Sequence, residues 1–243
     1  MKITFFHPKL INSAMGMLRR HLISAPSMRG HLKRLRSRGF YPKHVLDVGA
    51  AHGDWSLMCS KIFPDSDFLL VEPLEEYEKS LQKTRKKICN ARYILTAVGS
   101  FTGETAIFVQ KDLVGSSILH DSDPRFPGVQ RTVPIVTADN LITQTGSTIP
   151  DLVKVDIQCY ELEFLQGASS LLHITEVFIL EASLFRFLDG SPLIHEVIEY
   201  MTTHGYMIDD IVGHLYRPSD GALGQVDIAF VKSDSFLRKS ILW

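Results

Sequence analysis

Two short stretches of the chain carry residue types whose order and spacing suit a nucleoside ligand. The first is Asp47-Val48-Gly49-Ala50-Ala51-His52-Gly53-Asp54, which follows an apolar run and precedes an amphipathic one. Glycine at 49 and 53 lets the backbone turn tightly and come close to a ligand, because neither residue has a Cβ. The spacing is not the G-x-G-x-x-G of dinucleotide sites, which argues against a pyrophosphate held on the helix N-terminus. Asp47 would repel a phosphate but can accept hydrogen bonds from the loop or from a ligand amine, so the loop suits a cationic or zwitterionic amino-acid tail. The second stretch is Glu72-Pro73, about 25 residues further on. A carboxylate at a strand end can accept hydrogen bonds from both hydroxyls of a ribose, and Pro73 stops the strand. Ala97, with Val98 and Gly99, is placed to line the base.

Asp156 and Glu181 close two further apolar runs. Either can take a proton from an acceptor hydroxyl, or hold a divalent ion such as Mg²⁺ that lowers the hydroxyl pKa. His52, in the glycine loop, is a third candidate base. Glu161 lies one turn into a helix and is placed to cap that helix's first amides. Lys154 points away from the face of Val153 and Val155, so it must reach solvent or find an acid partner. Cys59, Cys89 and Cys159 show no paired metal-ligand spacing and read as reduced thiols. His120, Asp121 and Asp123 sit in a Pro/Gly-rich loop, where such a string is usually polar surface.

The elements that must carry these residues alternate between short β-branched runs and longer amphipathic ones. Strands are expected at 45–49, 68–72, 93–98, 152–157 and 177–182, with a small additional strand at 105–109. Helices are expected at 55–62, 75–88, 161–172 and 193–204, and a short one capped by Thr137 or Asp139 that ends near 144. Residues 115–130 read as a long loop, and two final strands near 206–211 and 226–231 as an antiparallel hairpin. Residues 1–40 read as a helical extension ahead of a single domain over 41–243. Strands separated by helices argue for a doubly wound α/β fold: a mostly parallel seven-stranded sheet with helices on both faces. In such sheets ligands bind beyond the carboxyl ends of the strands.

The chain has 243 residues, 45% hydrophobic and 22% charged, with 26 basic and 27 acidic side chains for a net charge of -1. That balance gives no global field to attract polyphosphate or a membrane. Arg19, Arg20, Arg29, Lys33, Arg34, Arg36, Arg38 and Lys43 form an acid-free stretch, read as the wet face of the extension. No secretory core or membrane-length apolar run is visible, so a cytoplasmic address is expected.

Read with DLVKVDIQCYELEFLQGA at 151–168 and VFILEASL at 177–184, these segments closely resemble the FkbM family of S-adenosylmethionine-dependent methyltransferases. The resemblance runs roughly over 45–232 and takes in VPIVTADNLI at 133–142 and GALGQVDIAFVK at 221–232. It implies a class I, Rossmann-like methyltransferase fold and transfer of a methyl group to a hydroxyl of a sugar, polyketide or other small metabolite. It also implies that Asp47, Gly49 and Gly53 hold the methionine part of the donor and Glu72 its ribose, and Ala50, within the same loop, is expected among the cofactor-binding residues. Ser117, in Gly115-Ser116-Ser117, folds over donor or acceptor on the same reading. The family pattern D-V-(E/Q)-G-x-E appears here as Asp156-Ile157-Gln158-Cys159-Tyr160-Glu161, with cysteine where glycine is usual. That change is expected to narrow the substrate pocket or weaken activity. A nicotinamide oxidoreductase, an inactive cofactor-binding scaffold and a nucleic-acid methyltransferase are the competing readings. The expected partners are a small hydroxyl substrate and, as an open alternative, a second copy of the chain; no nucleic acid or membrane is expected.

Overall fold

In a computed structural model, residues 27–121, 123 and 128–240 are described. The first part of the expected extension, with Arg19 and Arg20, lies outside them, as does Phe126. A helix α1 (Met28–Ser37) leads into β1 (His44–Val48), α2 (Asp54–Ser60), β2 (Asp67–Glu72), α3 (Glu78–Lys87) and β3 (Ala91–Leu95). Two short elements, β4 (Ala97–Val98) and β5 (Gly103–Val109), are followed by β6 (Val129–Val136) and α4 (Ala138–Thr145). The chain continues through β7 (Leu152–Val155), α5 (Glu161–Gln166), β8 (Val177–Ser183), α6 (Ile194–Thr203), β9 (Tyr206–Tyr216) and β10 (Leu223–Lys232).

Seven strands form one sheet in the order β3-β2-β1-β7-β8-β10-β9. All neighbours are parallel except β10, which runs antiparallel to both β8 and β9. This is the expected doubly wound sheet with its edge hairpin. Each central strand is apolar on both sides, as burial under helices on both faces requires. One face carries Val45, Leu70, Ile179 and Val231 and packs on Leu32 and Leu35 of α1. The other carries Leu46, Val153, Leu180 and Phe230 and packs on Phe164, Leu165 and Met201. Fully burying each of these side chains stabilises the fold by roughly 1.5–3 kcal/mol.

Three elements differ from expectation. The strand expected at 93–98 is broken at Thr96, whose hydroxyl donates to the Pro134 carbonyl at 3.1 Å, and Ala97–Val98 leaves the main sheet to pair with Ile135–Val136. The end of the long loop is instead strand β6, the centre of a small sheet β4-β6-β5. Its Pro134, one residue ahead of the β4 pairing, and its polar residues 130–132 hid it from a pattern search. The helix from Glu161 stops at Gln166, and its C-cap Gly167 lies against the carbonyl of Gly99, where a Cβ would sit 2.0 Å from the oxygen.

The basic face of α1 is not simply wet. Arg34 pairs with Asp210, and Arg38 donates to Asp209 at 3.1 Å, both on β9. His31, 1% exposed, lies between the same two aspartates, 3.3 Å from Asp210. Burial lowers its pKa, against the opposing pull of Asp209 and Asp210.

Candidate functional site

The carboxyl ends of β1, β2 and β7 meet at one edge of the sheet, and the turns that leave them are held in backbone contact. Gly49, at φ +74°, lies so close to the Asp156 carbonyl that a Cβ would come within 1.8 Å of its oxygen. Its amide and that of Ala50 donate to the Val71 carbonyl at 2.9 and 3.0 Å. Gly53, at φ +78°, is the N-cap of α2. Between them Ala51 takes a left-handed φ of +45° and donates its N–H to Glu72 Oε2 at 2.9 Å. Leu74 N–H donates to Glu72 Oε1 at 3.0 Å, so this 5%-exposed carboxylate organises the turns on both sides of it.

A cleft of about 870 Å³, partly open to solvent, runs over this edge. Gly49, Ala51, His52, Glu72, Tyr77, Ala97, Ser117, Asp156 and Gln158 line it, together with the apolar Val71, Leu74, Val98 and Ile107. Asp47, Ala50 and Gly53 stand behind the loop and do not line it. Asp47 is 0% exposed; Oδ2 accepts from Ser56 at 2.6 Å, while Oδ1 has no hydrogen-bond partner and faces Lys154 Nζ at 3.8 Å. Burial raises the Asp47 pKa despite Lys154 and Ser56. Ser117 donates to the Gln158 carbonyl at 2.7 Å and so pins the glycine-serine loop onto the Asp156–Glu161 turn. His52 is fixed on the α3 side, Nδ1 3.1 Å from Ser80 Oγ and its ring edge-on to Tyr77 at 4.7 Å.

A second cleft adjoins the first and shares Leu113 and Gln158 with it. Its walls include Cys159, Phe187, Tyr216, Arg217 and Gln225. Asp156 lines the first cleft only, two residues from the shared Gln158. Lys154 Nζ donates to its Oδ2 at 3.1 Å and Gln158 Nε2 to its Oδ1 at 3.1 Å. Glu181 stands behind Gln158, whose amide reaches it at 3.4 Å, and lines neither cleft. It is opposed across the strands by Asp227, which sequence reading missed although the alternation of the last strand places it there. Burial, then Asp156, Glu161 and Asp227, raise the Glu181 pKa well above the usual carboxylate range. In the Pro/Gly-rich loop His120 pairs with Asp189 at 3.0 Å and Asp121 accepts from Asp123 N–H. Among the described residues no group of three or more His, Cys, Asp or Glu is arranged to hold a metal ion.

Glu161 is buried and accepts from Ile157 N–H at 3.0 Å, so it ties the turn before its helix rather than the helix's own first amides alone. Its pKa is pushed up to about 8 and that of Asp227 to about 6, burial being the first cause in both. A carboxyl whose pKa rises on folding stabilises the fold below its unfolded value and loses that contribution as pH rises through the folded value. His31 acts in the opposite sense below its ordinary 6.5. Above 6.5, therefore, thermal stability should fall steadily to about pH 8.5, by at most ~1.4 kcal/mol per pH unit per group. Glu161→Gln should flatten that fall in a calorimetric pH series; an unchanged slope would show that Glu161 is ionised throughout.

The Asp156–Glu161 turn explains the glycine of the family pattern. Gln158 and Cys159 both adopt left-handed backbone, at φ +54° and +72°. An L side chain there costs roughly 1–2 kcal/mol. Cys159 offsets part of that cost by burying its thiol 3.3 Å from Ser183 Oγ, and the thiol's pKa is pushed up to about 12 by burial, which is the state of an inert group. In urea unfolding, Cys159→Gly should be at least as stable as Cys159→Ala, reversing the usual ~0.4–1 kcal/mol advantage of alanine.

The cleft fits an adenosine linked to an amino acid. Its apolar end can take a planar base, each Glu72 oxygen keeps a lone pair for a ribose hydroxyl, and the Gly49 turn lies at the far end. A family model described as "Methyltransferase FkbM domain" matches residues 47–208, about two thirds of the chain. Among solved structures, cofactor-bound Rv0187 from MTB is similar at 10% identity and TM-score 0.50, over 88% of this chain and 83% of that one. The O-methyltransferase TomG from Streptomyces achromogenes is similar at 13% identity and TM-score 0.48, over 95% and 92%. TrmK of M. capricolum is similar at 10% identity and TM-score 0.46, over 82% and 67%. At 10% identity the likeness to Rv0187 concerns the fold alone. A comparison with curated protein sequences gives no match.

Proposed function

The chain belongs to the FkbM methyltransferase family, whose members are S-adenosylmethionine-dependent methyltransferases, and from that premise we propose that it methylates a hydroxyl of a small-molecule acceptor with Asp156 as the base. The observation that carries this reading is the place of Asp156, in the wall of the donor cleft and hydrogen-bonded to Gln158, a residue that this cleft shares with a second one large enough for an acceptor. When bound, S-adenosylmethionine supplies an electrophilic methyl group on a positively charged sulfur. Glu72 would accept the ribose hydroxyls, Val71, Leu74 and Ala97 would enclose the base, and the Gly49 turn would take the amino-acid end. His52, held by Ser80 and Tyr77, serves the donor side rather than the acceptor oxygen. Asp156 would receive the acceptor's hydroxyl proton, the methyl–sulfur bond electrons leaving with S-adenosylhomocysteine, and Lys154 and Gln158 hold its two oxygens in place.

Glu181 stands behind Gln158 and lines neither cleft, and burial raises its pKa, so the role of base falls to Asp156. A small acceptor rather than a nucleic acid is supported by the pairing of Arg34 and Arg38 with aspartates, which removes charge from the basic face. Among the described residues no helix is long and apolar enough to cross a membrane. Transfer of labelled methyl from the donor to a panel of sugar and polyketide hydroxyls, with and without EDTA, tests the reading. Transfer that survives chelation is expected; transfer restored only by Mg²⁺ would replace the carboxylate base with a metal-activated hydroxyl.

A further inference from the structure

Lys154 is a buried cation that the chemistry above uses only as a neighbour. It lies on β7 opposite Asp47 of β1, and the alternation of the strand puts Asp156, two residues on, on the same side of the sheet. Val153 and Val155, on the other side, are fully buried in the core. The lysine is 7% exposed, so its ammonium cannot be solvated and must be held by the groups around it. Those groups are Asp156 Oδ2 at 3.1 Å, the Gly49 carbonyl at 3.5 Å and the otherwise unpartnered Asp47 Oδ1 at 3.8 Å. One side chain therefore touches the base, the turn of the donor cleft and the acid beneath that turn.

The charges around Asp156 make this contact consequential. Asp47 on β1, Glu161 on α5, Glu181 on β8 and Asp227 on β10 all face the same region, and Lys154 is the cation that interacts with it. Gln158 contributes a neutral donor and no charge. Lys154 is the positive charge within hydrogen-bond reach of Asp156, and an ammonium so placed favours the carboxylate form of its partner.

We propose that Lys154 is a positioning residue, fixing the Asp156 carboxylate in the wall of the donor cleft and keeping it ready to accept a proton while tying it to the Gly49 turn. The proposal rests on the assignment of Asp156 as the base. Burial opposes the lysine's charge, but Asp156 and Asp47 outweigh it and raise the ammonium's pKa, so the cation persists across the working pH range.

Lys154→Met alone strands Asp47 as a buried unpaired charge and is a poor test by itself. The comparison is Asp47→Asn against Asp47→Asn/Lys154→Met in the full-length chain without donor, with thermal unfolding to show that both fold. The carboxyl ¹³C resonance of Asp156, identified by its loss on adding Asp156→Asn, is followed through pH. Its titration midpoint should be at least about one pH unit higher in the double variant, a tenfold change in proton affinity. An unmoved midpoint in a folded double variant would overturn the proposal and leave Lys154 as a structural counter-ion of Asp47. Titration of the unaltered chain with S-adenosylhomocysteine is read separately: failure there would count against the donor site and the proposed function, whatever the resonance does.

Discussion

Replacing Glu72 with alanine should weaken binding of S-adenosylhomocysteine by about 10²–10⁴-fold while leaving the protein folded. The carboxylate is buried at the end of β2, and each of its oxygens already accepts one backbone amide, from Ala51 and from Leu74. Each oxygen has a second lone pair available in the cleft that Glu72 lines, and two charge-assisted hydrogen bonds to a ribose would contribute roughly 1.5–3 kcal/mol apiece. Removal loses both and also frees the Ala51 amide, whose left-handed φ of +45° the carboxylate helps to hold. Glu72→Gln should be nearly as damaging, because its NH₂ must face one of the two amides. Calorimetric titration of each variant, with its melting temperature alongside, measures the effect. A folded alanine variant that binds within fivefold of the unaltered chain would remove the ribose from Glu72.

Asp156→Asn should lower kcat by about 10²–10⁴-fold, the usual contribution of a positioned general base, with donor affinity changed by less than tenfold. Asparagine keeps the shape of the side chain but turns an NH₂ toward either Lys154 Nζ or Gln158 Nε2, and it cannot take the hydroxyl proton. Glu181→Gln is the control. Since Glu181 lines neither cleft and burial raises its pKa, its amide should cost less than tenfold in kcat. Equal losses in the two variants would mean that the proton is shared between them, and a larger loss at 181 would move the base there.

The sequence made the sheet legible because its central strands are apolar on both sides and its helices amphipathic. The antiparallel hairpin at the edge was legible for the same reason, since no helix pattern separates its strands. The small sheet was not. Its central strand β6 contains a proline and a polar start, and the pairing that stabilises it comes from two residues, Ala97 and Val98, which continue the apolar run of β3.

At the site, residue type and strand end located Glu72, Asp156 and Ala97 in the cleft, because position at a carboxyl end is a one-dimensional property. Depth is not. Asp47 precedes the same turn as Gly49, yet its side chain goes under the loop, and only its neighbour across the strands, Lys154, shows why. Ser117 was legible as part of the cleft, but its bond to the Gln158 carbonyl depends on a contact between segments 41 residues apart in sequence. Cys159 stood out as a departure from glycine, whereas the left-handed backbone that makes the departure costly belongs to three dimensions.

The central claim is that the cleft over Gly49 and Glu72 is a site for S-adenosylmethionine, and calorimetric titration of the full chain with that donor, with NAD⁺ as the control, tests it most directly. The account predicts one donor bound per chain with micromolar affinity and no heat from NAD⁺. A folded protein that gives no heat with the donor, or that binds NAD⁺ instead, would contradict it.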